Sequence, residues 1–338
     1  MNKISSITDT NLGGVFMYNF RTDLAVESND IYKRINKIEN NISGVEIEEE
    51  SLENNTKITR IEILNSDGEN ALGKPIGKYI TIQINELKSI EDDVKENISN
   101  HLSNEIKNLV DTKLNQIDEI LVVGLGNWNV TPDALGPKVV SYVDVTRHLL
   151  EYIPQYMEPN TRSVSAVSPG VLGTTGIETL EILKGIVEKT TPKLIIAIDS
   201  LASRNVERIS TTIQLSDTGI TPGAGVGNKR KELSLNTLGI PVIAIGVPTV
   251  VDAATIASDS LDLFIDKMKD EIRAKEINGE DMKKIYNFLE HMKNQDKYEI
   301  MKEILMPSDY NYIVTPKEID AIITNMSSII AHGINKAM

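Results

Sequence analysis

Apolar and polar positions sort this chain into two textures. In the first third, Ile58 to Leu64 reads as a strand, and Lys78 to Ile84 sets Ile80, Ile82 and Ile84 on one face against Tyr79, Thr81 and Gln83 on the other. Gly68 to Gly77 supplies turn material between them. Ile90, Val94, Ile98, Leu102, Ile106, Leu109 and Leu114 then recur at helical spacing, which predicts an amphipathic helix with Ser89 as its N-cap. Before these elements, Glu27 to Thr56 mixes Asn with Glu48, Glu49 and Glu50 and reads as a solvated loop.

From Glu119 onward, short β-branched runs alternate with helical stretches. The runs are Ile120 to Val123, Val164 to Val167, Leu194 to Ile198, Thr212 to Leu215 and Val242 to Val247; helices are expected across Lys138 to Tyr152, Ile177 to Lys189 and Ala253 to Met268. This is the pattern of a parallel sheet covered by helices on both faces. Past Met268 the chain is charged and helical, without a recognisable linker. Thr315, Pro316, Lys317 and Glu318 read as a capping box with Pro at N1, ahead of a packing face of Ile319, Ile322, Ile323, Met326, Ile329 and Ile330. The expected fold class is α/β: a three-layer core with a mostly parallel sheet flanked by helices, a smaller N-terminal β excursion and a helical C-terminal region. In such sheets ligands bind outside the carboxyl ends of the strands, so chemistry is sought in the loops that follow them.

Composition narrows the choices. The 338 residues carry 49 Asp and Glu against 35 Lys and Arg, a net charge of −14, which argues against a direct nucleic-acid partner. No Cys is present, so disulfides, thiolate metal sites and cysteine nucleophiles are excluded. Met1 to Phe20 is polar and lacks a signal-peptide pattern, and no run of about 18 apolar residues occurs, so a cytoplasmic protein without a membrane partner is expected.

Gly124-Leu125-Gly126-Asn127-Trp128-Asn129 begins like a dinucleotide fingerprint but has Asn129 in place of the third glycine. Gly223-Ala224-Gly225-Val226-Gly227-Asn228-Lys229-Arg230 lacks the G-K-[ST] of a P-loop and remains a glycine loop able to hold an anion or an extended peptide, or simply a surface loop. Asp217-Thr218-Gly219 resembles the triplet of pepsin-like proteases, yet Ile220 follows where a small hydroxyl residue belongs and the βα alternation is foreign to that architecture, so it reads as a turn. His101, His148, His291 and His332 are scattered, and no serine-hydrolase or zinc motif occurs. What remains are carboxylates just past apolar strands. Asp133 lies in Thr131 to Pro137, and Asp199 ends Ile195 to Ile198. Should their loops converge, like charge raises one pKa and leaves an acid and a base around a water; Asp133 as a plain helix N-cap is the competing reading.

Gly124 to Asn127, Thr131 to Pro137, Ser168 to Thr179, Ile198 to Arg204, Asp217 to Arg230 and Val314 to Asp320 together resemble the germination protease family of spore-forming bacteria. The likeness is weakest between Met268 and Ile304, and Ser200 and Ser203 stand where alanine is expected. The resemblance implies an endopeptidase that starts the degradation of small acid-soluble spore proteins in the spore core during germination, made as a self-processing zymogen and assembled as a homotetramer. It implies a propeptide, 1–23, cut between Asp23 and Leu24 in Arg21-Thr22-Asp23-Leu24-Ala25-Val26-Glu27, and one protease domain, 24–338, divided into 24–117, an α/β core of 118–268 and a helical part of 269–338. Its catalytic pair falls on Asp133 and Asp199. For the substrate or oxyanion loops, Gly170, Gly173, Thr174, Gly176, Gly223 and Gly225 are the candidates, and no cofactor or resident metal is assigned. The family core is similar to that of hydrogenase maturation endopeptidases, whose corresponding positions handle a metal. A metal-assisted endopeptidase is therefore one alternative, and a non-catalytic peptide- or anion-binding module is another.

Overall fold

Runs that are apolar on both faces belong in the middle of a covered sheet, and such runs form its centre here. The computed structural model describes residues 22–38, 41–53, 56–84, 92–113, 118–225, 230–275, 284, 294–305 and 312–338, with backbone alone for 269–275, 294–296 and 299. Among the described residues nine strands make one sheet: β1 (Val45–Ser51), β2 (Lys57–Ile63), β3 (Gly77–Gln83), β4 (Ile120–Gly124), β5 (Val164–Val167), β6 (Leu194–Ser203), β7 (Thr212–Ser216), β8 (Val242–Asp252) and β9 (Ile313–Val314). Their order is β1-β2-β3-β7-β8-β6-β4-β5, with β9 on the end of β8. β5, β4, β6 and β8 run parallel, whereas β7, β3, β2 and β1 extend the sheet antiparallel beyond β8.

The helices are α1 (Ala25–Asn36), α2 (Ser66–Leu72), α3 (Asp92–Asp111), α4 (Leu135–Val140), α5 (Arg147–Tyr152), α6 (Leu172–Thr175), α7 (Thr179–Thr190), α8 (Leu235–Leu238), α9 (Ala253–Lys275), α10 (Asn294–Leu305) and α11 (Ile319–Ala337). The period-2 alternation of the strands separates the layers. Ile120, Val122, Leu194, Ile196 and Ile198 face a core shared with Leu102 and Ile106 of α3 and Ile323, Met326 and Ile330 of α11. Leu121, Val123, Ile195 and Ala197 face the opposite layer, with Leu180 and Leu183 of α7. Full burial of one such side chain contributes about 1.5–3 kcal/mol, so these two faces dominate the fold's stability. A third cluster joins Leu24, Ala25, Ile61, Ile63, Leu72, Tyr79 and Leu201 beneath α1 and α2.

Several sequence expectations change. The solvated loop expected over Glu27 to Thr56 contains α1 and β1. α1 is hidden because its buried positions include Glu27 and Asn29, and β1 because it is an edge strand whose acids face solvent and pair across to β2, Glu49 with Lys57 at 2.8 Å and Glu50 with Arg60 at 2.9 Å. The N-terminal excursion is thus a continuation of the main sheet, and Thr212 to Leu215 joins it antiparallel. The turn material of Gly68 to Gly77 holds α2, capped by the Asn65 side chain, which accepts from the N–H groups of Asp67 and Gly68.

The single helix expected over Lys138 to Tyr152 is two, because Thr146 donates to the Arg162 carbonyl at 2.6 Å and accepts from the Val164 N–H, tying the chain to β5 between α4 and α5. The capping box before α11 does not form: Glu318 is the N-cap without a side-chain bond, and the Thr315 hydroxyl donates to the Thr249 carbonyl instead. Ser89, Ile90 and Leu114 of the predicted helix lie outside the described residues.

Candidate functional site

The site gathers where the carboxyl end of β4 meets the middle of β6: Asp199, expected to end its strand, lies inside it, because β6 stays paired with β8 as far as Ser203. Asp133 closes a 3-10 turn, Thr131–Asp133, just before α4. Leu125 donates its N–H to the Ile198 carbonyl at 2.8 Å, which ties the exit of β4 to the residue preceding Asp199. Gly136 lets the start of α4 rest on both strands: a Cβ there would overlap the backbone of Leu125 and Ile198. The Asn127 N–H donates to the Asp133 carbonyl at 3.0 Å and to its Oδ2 at 2.8 Å, folding the two loops onto each other.

Two carboxyl groups therefore share one poorly hydrated corner. Burial pushes Asp133 up to about 6 against the pull of the Asn127 N–H. Asp199, only 5 % exposed, lies well above the usual carboxylate range, first through burial and then through the charge of Asp133, with Asp23 adding to it and the Ser200 N–H opposing. At neutral pH this favours Asp133 ionised and Asp199 protonated.

Asp199 also lines a cleft of about 560 Å³ that holds the start of the described chain. Its walls include Lys74, Gln214, Ser216, Gly223 and Gly225, with Thr22 and Asp23 inside. The Asp23 N–H donates to the Ala202 carbonyl at 3.1 Å, and its carboxylate accepts from the N–H groups of Ala202, at 2.9 Å, and Gly225. The Asp23 carbonyl accepts from Lys74 Nζ and from Gln214 Nε2, each at 3.0 Å. Downstream, Leu24 and Ala25 are fully buried, and the Glu27 carboxylate accepts from Thr22 Oγ1 and, at 2.8 Å each, from the N–H groups of Arg204 and Asn205. Burial raises Asp23 against Lys74 and the two N–H donors, and lowers Lys74 against the charges of Asp23 and Glu27.

The structure thus brings Asp199, Asp23, Gly223 and Gly225 into one cleft, with Asp133 beside Asp199 but outside the cleft lining. Gly170, Gly173, Thr174 and Gly176 do not line it; they surround α6, where the amides of Thr174, Thr175 and Gly176 already donate to the carbonyls of Val171 and Leu172. Asp217 closes a turn, accepting from the Lys78 N–H at 2.8 Å and pairing with Lys113 at 3.2 Å. The buried Ser200 hydroxyl meets no partner among the described residues, and Ser203 donates to the Asn205 carbonyl. Arg21, Val226 to Lys229 and His291 lie outside the described residues. Sequence reasoning missed Lys74, Gln214 and Glu27. Gln214 alone left a signal, a polar side chain between the apolar Ile213 and Leu215 of a buried strand.

A resident metal needs more donors than this corner supplies: among the described residues no group of three or more His, Cys, Asp or Glu is placed to hold an ion. No helix of the described residues is long and apolar enough to cross a membrane.

Comparison with known proteins adds three findings. The germination protease family profile matches residues 22–286 and 276–338. Germination proteases of Caldanaerobacter subterraneus and Clostridium perfringens are each 50% identical, over 324 residues (96% of this chain, 95% of that protein) and 323 residues (95% and 96%), and that of Bacillus cereus is 42% identical over 346 aligned positions (95% and 94%). Among solved structures, a NiFe hydrogenase maturation protease, HycI of Thermococcus kodakarensis, aligns over 43% of this chain and 80% of its own at 18% identity and a TM-score of 0.27. With a family profile spanning nearly all of its length and relatives at half identity from end to end, this chain belongs to the germination protease family, a family of peptidases.

Proposed function

We propose that this chain is an endopeptidase made as a zymogen, which removes its own residues 1–23 by hydrolysing the Asp23–Leu24 bond and then, as a single domain of residues 24–338, starts the degradation of small acid-soluble spore proteins in the spore core. Assembly as a homotetramer comes with the family resemblance. The observation that carries the reading is the docking of Thr22 and Asp23 in the cleft lined by Asp199, with the Asp23 carbonyl held between two side-chain donors and Leu24 buried in the adjoining apolar cluster. An uncleaved propeptide junction seated this way is a substrate presented to its own site.

The chemistry follows from the unequal carboxyl pair. Ionised Asp133 accepts a proton from a water as that water attacks the Asp23 carbonyl carbon, and protonated Asp199 polarises the carbonyl or gives its proton to the departing Leu24 amine. Dehydration raises both groups and the charge of Asp133 raises Asp199 further, as expected for groups tuned to exchange protons near neutral pH.

The test uses Asp133→Asn and Asp199→Asn in the full-length chain, incubated near pH 7, where Asp133 is ionised, and followed by intact mass, and on a spore-protein substrate. The reading predicts loss of residues 1–23 by the wild type and neither activity in the folded variants. Normal turnover by either variant overturns the carboxyl mechanism. Saturable substrate binding by the wild type without any product overturns the enzyme reading in favour of a binding module.

A further inference from the structure

Lys74 is a lysine drawn inward. It follows α2 and its left-handed C-cap, Gly73, and its Nζ donates to two successive backbone carbonyls, that of Thr22 at 3.2 Å and that of Asp23 at 3.0 Å. Opposite it stands Gln214, 8 % exposed, whose backbone is fixed by pairing with Thr81 of β3 and Gly246 of β8. Its Nε2 donates to the Asp23 carbonyl, and its Oε1 accepts from the Ala25 N–H at 2.7 Å, so one amide brackets Leu24 from both sides. Both residues are anchored independently of the segment they hold, one by a capped turn and one by the sheet.

We propose that Lys74 and Gln214 are catalytic residues, an electrophilic clamp that receives the negative charge formed on the Asp23 carbonyl oxygen when water adds to its carbon. The proposal rests on self-cleavage at Asp23–Leu24 and divides the labour there. As the water oxygen bonds to the carbonyl carbon, the C=O π pair moves to the oxygen, and the water's proton goes to ionised Asp133. The tetrahedral oxyanion is held by the ammonium of Lys74 and the amide of Gln214. When the C–N bond breaks, the electron pair returns to the carbonyl and the Leu24 nitrogen takes the proton of Asp199. Atoms balance as one water consumed, with a carboxylic acid and an amine released.

The clamp frees Asp199 from polarising the carbonyl and leaves it as the acid for the leaving group. The energetic logic is the difference between states: a hydrogen bond to a neutral carbonyl becomes a charge-assisted one to an oxyanion, so the clamp raises rate more than it strengthens docking. Nothing else that touches the Asp23 carbonyl among the described residues competes for this part, and the amides around α6 are already used.

The experiment follows the full-length chain by intact mass for the first-order loss of residues 1–23, in the wild type, Lys74→Met, Lys74→Arg, Gln214→Glu and Asp199→Asn. Hydrogen exchange of residues 22–27 in the uncleaved chains reports docking. The clamp predicts a fall of about 10²-fold for Lys74→Met and for Gln214→Glu, within the range seen when one oxyanion donor is removed, and partial recovery in Lys74→Arg, while exchange protection of the segment is retained. Wild-type cleavage rates in folded Lys74→Met and Gln214→Glu overturn it. So does a fall accompanied by loss of segment protection, which assigns the pair to docking alone. If Asp199→Asn cleaves normally while Lys74→Met does not, the clamp stands and the carboxyl pair falls; if the wild type never cuts at Asp23–Leu24, both fall.

Discussion

Replacing Asp133 with Asn should remove activity and stabilise the protein at the same time. In the folded chain Asp133 titrates at about 6 against an ordinary 3.8, because burial withholds water from its charged form. The unfolded chain gives up this proton first as pH rises, so stability that is fully present below about pH 4 is lost as pH climbs through about 6. At roughly 1.4 kcal/mol per pH unit, the difference amounts to about 3 kcal/mol at neutral pH. Asn can still accept from the Asn127 N–H but carries no charge. Urea unfolding followed by circular dichroism should therefore show Asp133→Asn more stable by up to about 3 kcal/mol near pH 7.5, and by roughly half of that near pH 5. A variant less stable than wild type at both pH values, or a gain independent of pH, would refute the claim that this carboxyl is held dehydrated in the fold.

Three further outcomes follow. Self-cleavage should rise through an acid limb at about 6, where Asp133 ionises, and fall at higher pH when Asp199 loses its proton; a rate still at its maximum well below pH 5 contradicts that assignment. Gly225→Ala places a Cβ against the Asp23 carboxylate and the Ala202 methyl, so cleavage measured by intact mass should drop by about 10²-fold with little change in thermal unfolding, and an unchanged rate removes Gly225 from the cleft's function. Incubation with EDTA should leave cleavage within about twofold of its untreated rate; loss of activity that added metal restores would favour the metal-assisted alternative.

How much of this was legible in the chain depended on what each side chain faces. β4 and the first halves of β6 and β8 announce themselves because both faces are buried and Ile120 to Val123, Leu194 to Ile198 and Val242 to Val247 carry no polar side chain. β1 and α1 do not, since one turns its acids to solvent at a sheet edge and the other buries Glu27 and Asn29 through specific hydrogen bonds that periodicity does not register. Asp133 and Asp199 stood out as carboxylates directly after apolar runs, and although β6 continues past Asp199 to Ser203, the adjacency of β4 and β6 in the sheet turns that placement into proximity. Lys74 left no mark, and Gln214 only its polarity within a buried strand, because what they bind is a backbone carbonyl 51 and 191 residues away in sequence, and a carbonyl does not show in the side-chain pattern.

The central claim is that two unequal carboxyl groups cut the bond docked beside them. Its most direct measurement is the intact mass of full-length Asp199→Asn after an incubation in which the wild type is fully processed. The account predicts a folded variant of undiminished mass, with residues 1–23 still attached. A variant that sheds them at the wild-type rate contradicts it.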